Sequence, residues 1–179
     1  GTFQHSLQVA NLAENAVFKV GGNPLLIRTG ALYHDIGKME NPQYFIENQS
    51  DGFNPHSKMD FEESARIIIG HVNKGVEMAK KYKLPEIIVD FIVTHHGTST
   101  VQFFYKSYLN KYPDSEVDIK NFSYPGPKPV SKETAILMMA DSVEASSRTL
   151  QDYSEENISE LVERIVYIQE QDGQFSDAP

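Results

Sequence analysis

The stretch ALYHDIGKME, residues 31–40, sets a histidine and an aspartate side by side at the end of an apolar run. His34 and Asp35 are either part of a metal site or the polar end of a helix, and a single His-Asp pair does not choose between them. The choice depends on whether other parts of the chain carry partners at positions that can face the pair.

Upstream, HSLQVANLAENAVFKV (5–20) puts Val9, Leu12, Ala13, Ala16, Val17 and Val20 on the stripe of an amphipathic helix that Gly21 and Gly22 end. Asn23 caps and Pro24 opens a second helix, NPLLIRTGALYHDI (23–36), which Gly37 closes. Downstream, Pro42, SDG at 50–52 and Pro55 mark an extended loop. A third helix is expected from Asp60 to Lys81, with Ala65, Ile68, Val72, Val76 and Ala79 on one side; a fourth runs from Pro85 to near Gly97. The fifth, SKETAILMMADSVEASSRTL (131–150), is apolar around much of its first half and therefore buried. In SEENISELVERIVYIQEQDG (154–173), Ile158, Leu161, Ile165 and Ile168 mark the buried face and Ser154 the cap. Residues 98–130 form an aromatic and proline-rich insertion. Val101, Phe104, Tyr105, Tyr108 and Tyr112 share a face of a short helix, whereas NFSYPGPKPV (121–130) is too proline-rich for helix or central strand. No stretch reads as a strand, so the expected class is all-α, a helical bundle.

A chain of 179 residues, 40% hydrophobic and 23% charged, can bury a substantial core as one domain. Its abrupt ends, GTFQHS and SDAP, read as a domain excised from a larger protein. No apolar run approaches the ~20 residues of a membrane span, and no signal peptide is visible. With no cysteine, any metal must be held by His, Asp or Glu, in keeping with a cytoplasmic setting. The formal charge of −9 argues against binding a DNA or RNA polymer but leaves a small phosphorylated ligand open.

The histidines decide between the two readings of residues 34 and 35. His5 lies four residues before Val9 on an apolar stripe, and His71 lies three after Ile68 and four before Gly75. His95, followed by His96, extends the Ile88, Phe91, Ile92 stripe, and Asp141 follows Met138 by three in the most apolar helix. One inward histidine is ordinarily a hydrogen-bonded core residue. Four helices each presenting an inward His or Asp call for a shared positive charge, because an unpaired buried carboxylate costs several kcal/mol. His and carboxylate ligands suit Fe, Mn, Co, Ni or Zn. The number of groups suits two ions: one held by His5, His34, Asp35 and Asp141, the other by His71, His95 and His96 with Asp35 as bridge. Such pairs, roughly 3.5–4 Å apart, serve phosphoryl-ester hydrolysis by activating a bridging water, so no serine or cysteine nucleophile is needed.

The order H…HD…H…HH…D from His5 to Asp141 resembles the HD-domain superfamily of metal-dependent phosphohydrolases, over nearly the whole chain. NPHSK (54–58), IIIGHVNKGVEMAKKYKLP (67–85), DFIVTHHGTSTVQFFY (90–105), YPGPKPVSKETAILMMADSVEASSR (124–148) and DGQFSDAP (172–179) resemble one branch of it. These are the PgpH-type seven-transmembrane HD phosphodiesterases, which hydrolyse cyclic di-AMP to linear pApA. The resemblance implies iron or manganese as the two ions and a membrane-anchored parent with this segment on its cytoplasmic face. A homo-oligomer stays open. The HD-GYP relatives that cleave cyclic di-GMP would continue after His95-His96 with Glu and a Gly-Tyr-Pro signature. Here the chain reads HHGTSTVQFFY, which makes cyclic di-GMP secondary. Another nucleotide, or a sensor that binds without hydrolysis, completes the alternatives.

Asp35, one of the seven ligand positions, and Lys38 are the expected catalytic residues. Lys38 is either a phosphate contact at the metal edge or a cation favourably placed at a helix C-terminus. Arg148, two turns after Asp141 and roughly 10 Å along the helix, reaches a second phosphate or forms a salt bridge. His56 is a lid residue touching substrate or a surface loop histidine. Phe103, Phe104, Tyr105, Tyr108 and Tyr124 offer adenine stacking or core packing, with Tyr124 taken as the substrate contact.

Overall fold

The computed structural model describes residues 1–49 and 52–179. Ser50 and Asp51, two residues of the expected SDG turn, lie outside the described residues. The described residues form seven α-helices: α1 (Thr2–Val20), α2 (Pro24–Tyr33), α3 (Phe61–Lys81), α4 (Glu86–Thr94), α5 (Gln102–Lys111), α6 (Lys132–Ser147) and α7 (Glu155–Gln171). Among the described residues the only β-type pairing is one isolated bridge, Thr100 with Ser123. The all-α expectation holds.

Local chemistry sets the helix ends. Asn23 accepts from the Leu26 N–H with Pro24 at the first helical position, and Ser154 accepts from the Asn157 N–H. Ser131 and Thr134 form a capping box at the start of α6. The main core joins α1, α2, α4 and α6 through Val9, Ala13, Val17, Ile27, Ala31, Phe91 and Leu137. A second cluster seats Phe104 of α5 and Phe122 on Ala65 of α3. A third packs Ala79 of α3 on Val89 and Ile92 of α4. The crossing point of α1, α2, α3, α4 and α6 is where the polar cluster lies.

Several expectations are corrected. Leu12 and Val20 are 44% and 57% exposed rather than buried, because α1 meets its neighbours along the narrower Val9, Ala10, Ala13, Val17 line. Ile158 and Ile168 are likewise exposed. α7 packs chiefly on α6, and among its described residues Leu161 and Gln169 are the buried ones. The second helix stops at Tyr33, three residues short of the expected end, and a 3₁₀ segment, Ile36–Glu40, follows. Gly37 is therefore not a helix-closing glycine. It lies under α3, where a Cβ would meet the His71 carbonyl oxygen at 1.8 Å and the Gly75 nitrogen at 2.5 Å. The loop that follows is built of 3₁₀ turns at Pro42–Tyr44, Ile46–Asn48 and Pro55–Lys58.

Candidate metal centre

The end of α2 delivers His34 and Asp35, both inaccessible to solvent, into the crossing point. His5 arrives from α1, His71 from α3, His95 and His96 from the end of α4, and Asp141 from α6. Two sets of groups result. His5, His34, Asp35 and Asp141 each offer a ligand atom within 4.8 Å of the others, and so do His71, His95 and His96. Asp35 faces both sets. Its Oδ2 lies 3.4 Å from His5 Nε2 and 3.3 Å from His34 Nε2, while its Oδ1 lies 3.3 Å from His71 Nε2 and 3.5 Å from His95 Nε2.

The outer hydrogen bonds show which ring atoms are free to ligate. His34, His71 and His95 each donate Nδ1–H to the carbonyl three residues earlier: Ala31 at 2.6 Å, Ile68 at 2.5 Å and Ile92 at 2.8 Å. That bond occupies Nδ1 and turns Nε2 inward as the atom available to a metal. The His71 and His95 Nε2 atoms then stand 3.1 Å apart, lone pair toward lone pair, with Asp35 Oδ1 beside them. His34 Nε2 and both Asp35 oxygens are buried without a hydrogen-bond partner. Electron pairs converging on one another in a desolvated interior fit a cation between them. The residues present therefore fit a metal centre.

Charges in the cluster follow the same logic. Burial works against Asp35 ionising, yet His34 and Lys38 outweigh it and hold the carboxyl well below its ordinary range. Asp141 is likewise buried, and the nearby His34 ring and a hydrogen bond with His5 outweigh burial and hold it low. Burial pulls His34 down, but Asp35 and Asp141 overcome it and raise its pKa to about 10. His95 goes the other way, to about 4, because burial prevails over its contact with Asp35.

Two acidic residues that the sequence reading passed over belong to the centre. Glu144 Oε2 contacts His5 Nδ1, taking the place that backbone carbonyls fill for the other three rings. Its position three residues after Asp141, on the same face of α6, was the signal available. Glu47 Oε1 lies 2.9 Å from Lys38 Nζ; nothing in its 3₁₀ turn marks it.

The expected substrate contacts are distributed unevenly. Lys38 Nζ lies 2.7 Å from Asp35 Oδ2, without the alignment of a hydrogen bond, and over the Phe45 ring. Tyr124 stacks on the His96 ring at 4.3 Å between centroids and is almost fully buried. Arg148 is partnered by Glu144 at 2.7 and 2.8 Å, the salt-bridge alternative. His56 Nε2 lies 2.9 Å from the Tyr44 carbonyl oxygen, and its ring packs on Tyr44 and Phe104. Of the other aromatics, Phe104, Tyr105 and Tyr108 pack in the α3–α5 core and Phe103 points to solvent.

A family model described as "HD domain" matches residues 2–146, from before His5 to past Asp141. The chain belongs to the HD-domain family. Over 177 residues this HD domain is 49% identical to the cyclic-di-AMP phosphodiesterase PgpH of Bacillus subtilis, covering 99% of the chain and 25% of that protein. It is 42% identical to PgpH of Listeria monocytogenes, covering 99% of the chain and 24% of that protein. The crystal structure of the L. monocytogenes PgpH HD domain in complex with cyclic di-AMP superposes with a TM-score of 0.95 at 42% identity, over 99% of this chain and 82% of that one. The chain thus spans about a quarter of the length of the curated relatives it matches. Among the described residues, no helix is long and apolar enough to cross a membrane.

Proposed function

We propose that this HD domain is a two-metal phosphodiesterase that hydrolyses cyclic di-AMP to linear pApA. The observation that carries the reading is the seven-residue His/Asp cluster in a chain 42% identical to an HD domain solved with cyclic di-AMP. Two transition-metal ions, iron or manganese, would supply charge for the scissile phosphate and a water acidified enough to attack near neutral pH. His5, His34, Asp35 and Asp141 would hold one ion, and His71, His95 and His96 the other, with Asp35 shared through its two oxygens.

The chain's own residues orient the rest. The carbonyl bonds on His34, His71 and His95 occupy each Nδ1–H and leave each Nε2 aimed into the cluster as the ligating atom. Lys38, held between Asp35 and Glu47, would present a cation to the phosphate charge that develops. His96 and Tyr124 form the wall on the side of the 98–130 insertion, against which a base could lie. Arg148 would reach a second phosphate only by leaving Glu144, and His56 would act from the loop that it ties to α5. Cleavage breaks the P–O3′ bond and leaves a 5′-phosphate, hence pApA. A cytoplasm-facing, membrane-anchored parent, as the branch resemblance implies, belongs to the same proposal.

The test is to load the protein with manganese or with iron under reducing conditions and incubate it with cyclic di-AMP. Chromatography should show pApA, with slower turnover of cyclic di-GMP. Metal-loaded protein that leaves cyclic di-AMP intact would overturn the reading.

A further inference from the structure

The C-terminal stretch DGQFSDAP lies beyond residue 146, where the HD family model ends, and so does all of α7. Yet this part of the chain places two buried glutamines against the elements that carry the metal-facing residues. From the geometry we infer that α7 and the turn after it form a clamp on the metal centre, with Gln174 as a positioning residue for His96. The inference rests on the metal-centre reading above.

His96 needs outside support. His34, His71 and His95 are each fixed by a bond to a carbonyl, and His5 by Glu144. Among the described residues, no hydrogen bond reaches the His96 ring, which leans on Tyr124 and is 24% exposed. Its direction therefore depends on the backbone that follows it. There Gly97 takes φ +50°, and the Thr98 N–H donates to Gln174 Oε1 at 3.0 Å. Gln174 Nε2 lies 3.1 Å from Thr98 Oγ1, closing a two-point contact across 76 residues of sequence. A Cβ on Gly97 would stand 2.3 Å from Gln174 Oε1, so glycine serves both the left-handed turn and the close approach.

The end of α7 sets Gln174 in place. Gly173 has φ +67°, its N–H donates to the Glu170 carbonyl, and the Gln174 N–H donates to the Gln169 carbonyl at 3.0 Å. This is a Schellman turn, a rigid C-terminal stop. The second glutamine completes the clamp. Gln169 Nε2 donates to Ser142 Oγ at 2.8 Å, at the residue after Asp141. One short C-terminal element thus holds Thr98, two residues after His96, and Ser142, next to Asp141; the His96 and Asp141 side chains approach each other to 4.0 Å.

The test compares wild type with Gln174→Met, which keeps volume and removes the polar contacts, and Gln174→Glu, which keeps the Oε1 acceptor. Manganese affinity is measured by titration, and the melting temperature of the metal-free protein is measured alongside. Gln174→Met should weaken the more loosely held ion about 10–100-fold, the range for groups that orient metal ligands, while the metal-free melting temperature changes by only a few degrees. Gln174→Glu should recover most of that loss. If Gln174→Met does not fold, Gln174→Asn, too short to reach Thr98, takes its place. Unchanged affinity, or a loss matched by an equal collapse of the metal-free protein, would overturn the inference. Wild type that binds manganese but leaves cyclic di-AMP intact would sink only the functional proposal. Wild type that binds no metal would remove the premise of both.

Discussion

Asp35 is the residue where the two sets of ligands meet. Neither carboxylate oxygen has a hydrogen-bond partner, and each faces imidazoles of a different set. A carboxylate in so dry a place is tolerable only with cations around it, and in the protein alone these are Lys38 and a protonated His34. Glu144 acts one step further out, on the Nδ1 face of His5. Replacing it with alanine should weaken metal binding roughly 10–100-fold, by analogy with other carboxylates that orient ligating histidines. Glu144→Gln, which can still accept from His5 Nδ1–H, should recover part of the loss. Metal content after dialysis measures both, and equal content in wild type and Glu144→Ala would rule the role out. In this variant Arg148 also loses its carboxylate partner.

At the scale of elements, the centre depends on how closely the Ile36–Glu40 segment lies against α3. Gly37 permits that approach, since any Cβ there would overlap the His71 carbonyl. Gly37→Ala should destabilise the protein by at least ~3 kcal/mol, the upper part of the range for overpacking, and move Lys38 away from the cluster. Urea denaturation measures the first effect; a midpoint within error of wild type would contradict it. The same contact explains why the expected helix end was misplaced. The helical spacing of Ile27, Ala31 and Leu32 runs on to Ile36 and so carries His34 and Asp35 into the expected last turn. Docking on α3 instead bends the chain at Asp35 into a 3₁₀ segment.

Across the whole molecule, the buried charges tie stability to pH. His34 is held at about 10, above its unfolded value of roughly 6.5, so its stabilising contribution is complete below pH 6.5 and is lost as pH rises toward 10. His95, depressed to about 4, contributes stability that is present above roughly pH 6.5 and fades as pH falls through 4. Asp35 and Asp141, also depressed, add stability that is lost at still lower pH, below the ordinary carboxylate range. The metal-free protein should therefore melt highest near pH 6.5 and lose stability on both sides. Saturating manganese should remove the alkaline loss, because a ligating His34 is neutral and the ion takes over its charge. A melting temperature that stays flat from pH 6.5 to 9.5 without metal would contradict this picture.

The sequence by itself determined the all-α class and the inward placing of His5, His34, Asp35, His71, His95 and Asp141. Helical periodicity is a local property, and an ionisable group on an apolar stripe is visible one helix at a time. It determined the caps at Asn23 and Ser154 for the same reason. Exposure of Leu12, Val20, Ile158 and Ile168 was not legible, because the width of a buried face depends on how many neighbours a helix has. Only the tertiary structure decided that Glu144 and Glu47 attend the site, that Phe104 belongs to the core while Tyr124 covers His96, and that Gln174 reaches Thr98. Each is a contact between residues on different elements, fixed by how helices cross and not by the spacing along any one of them.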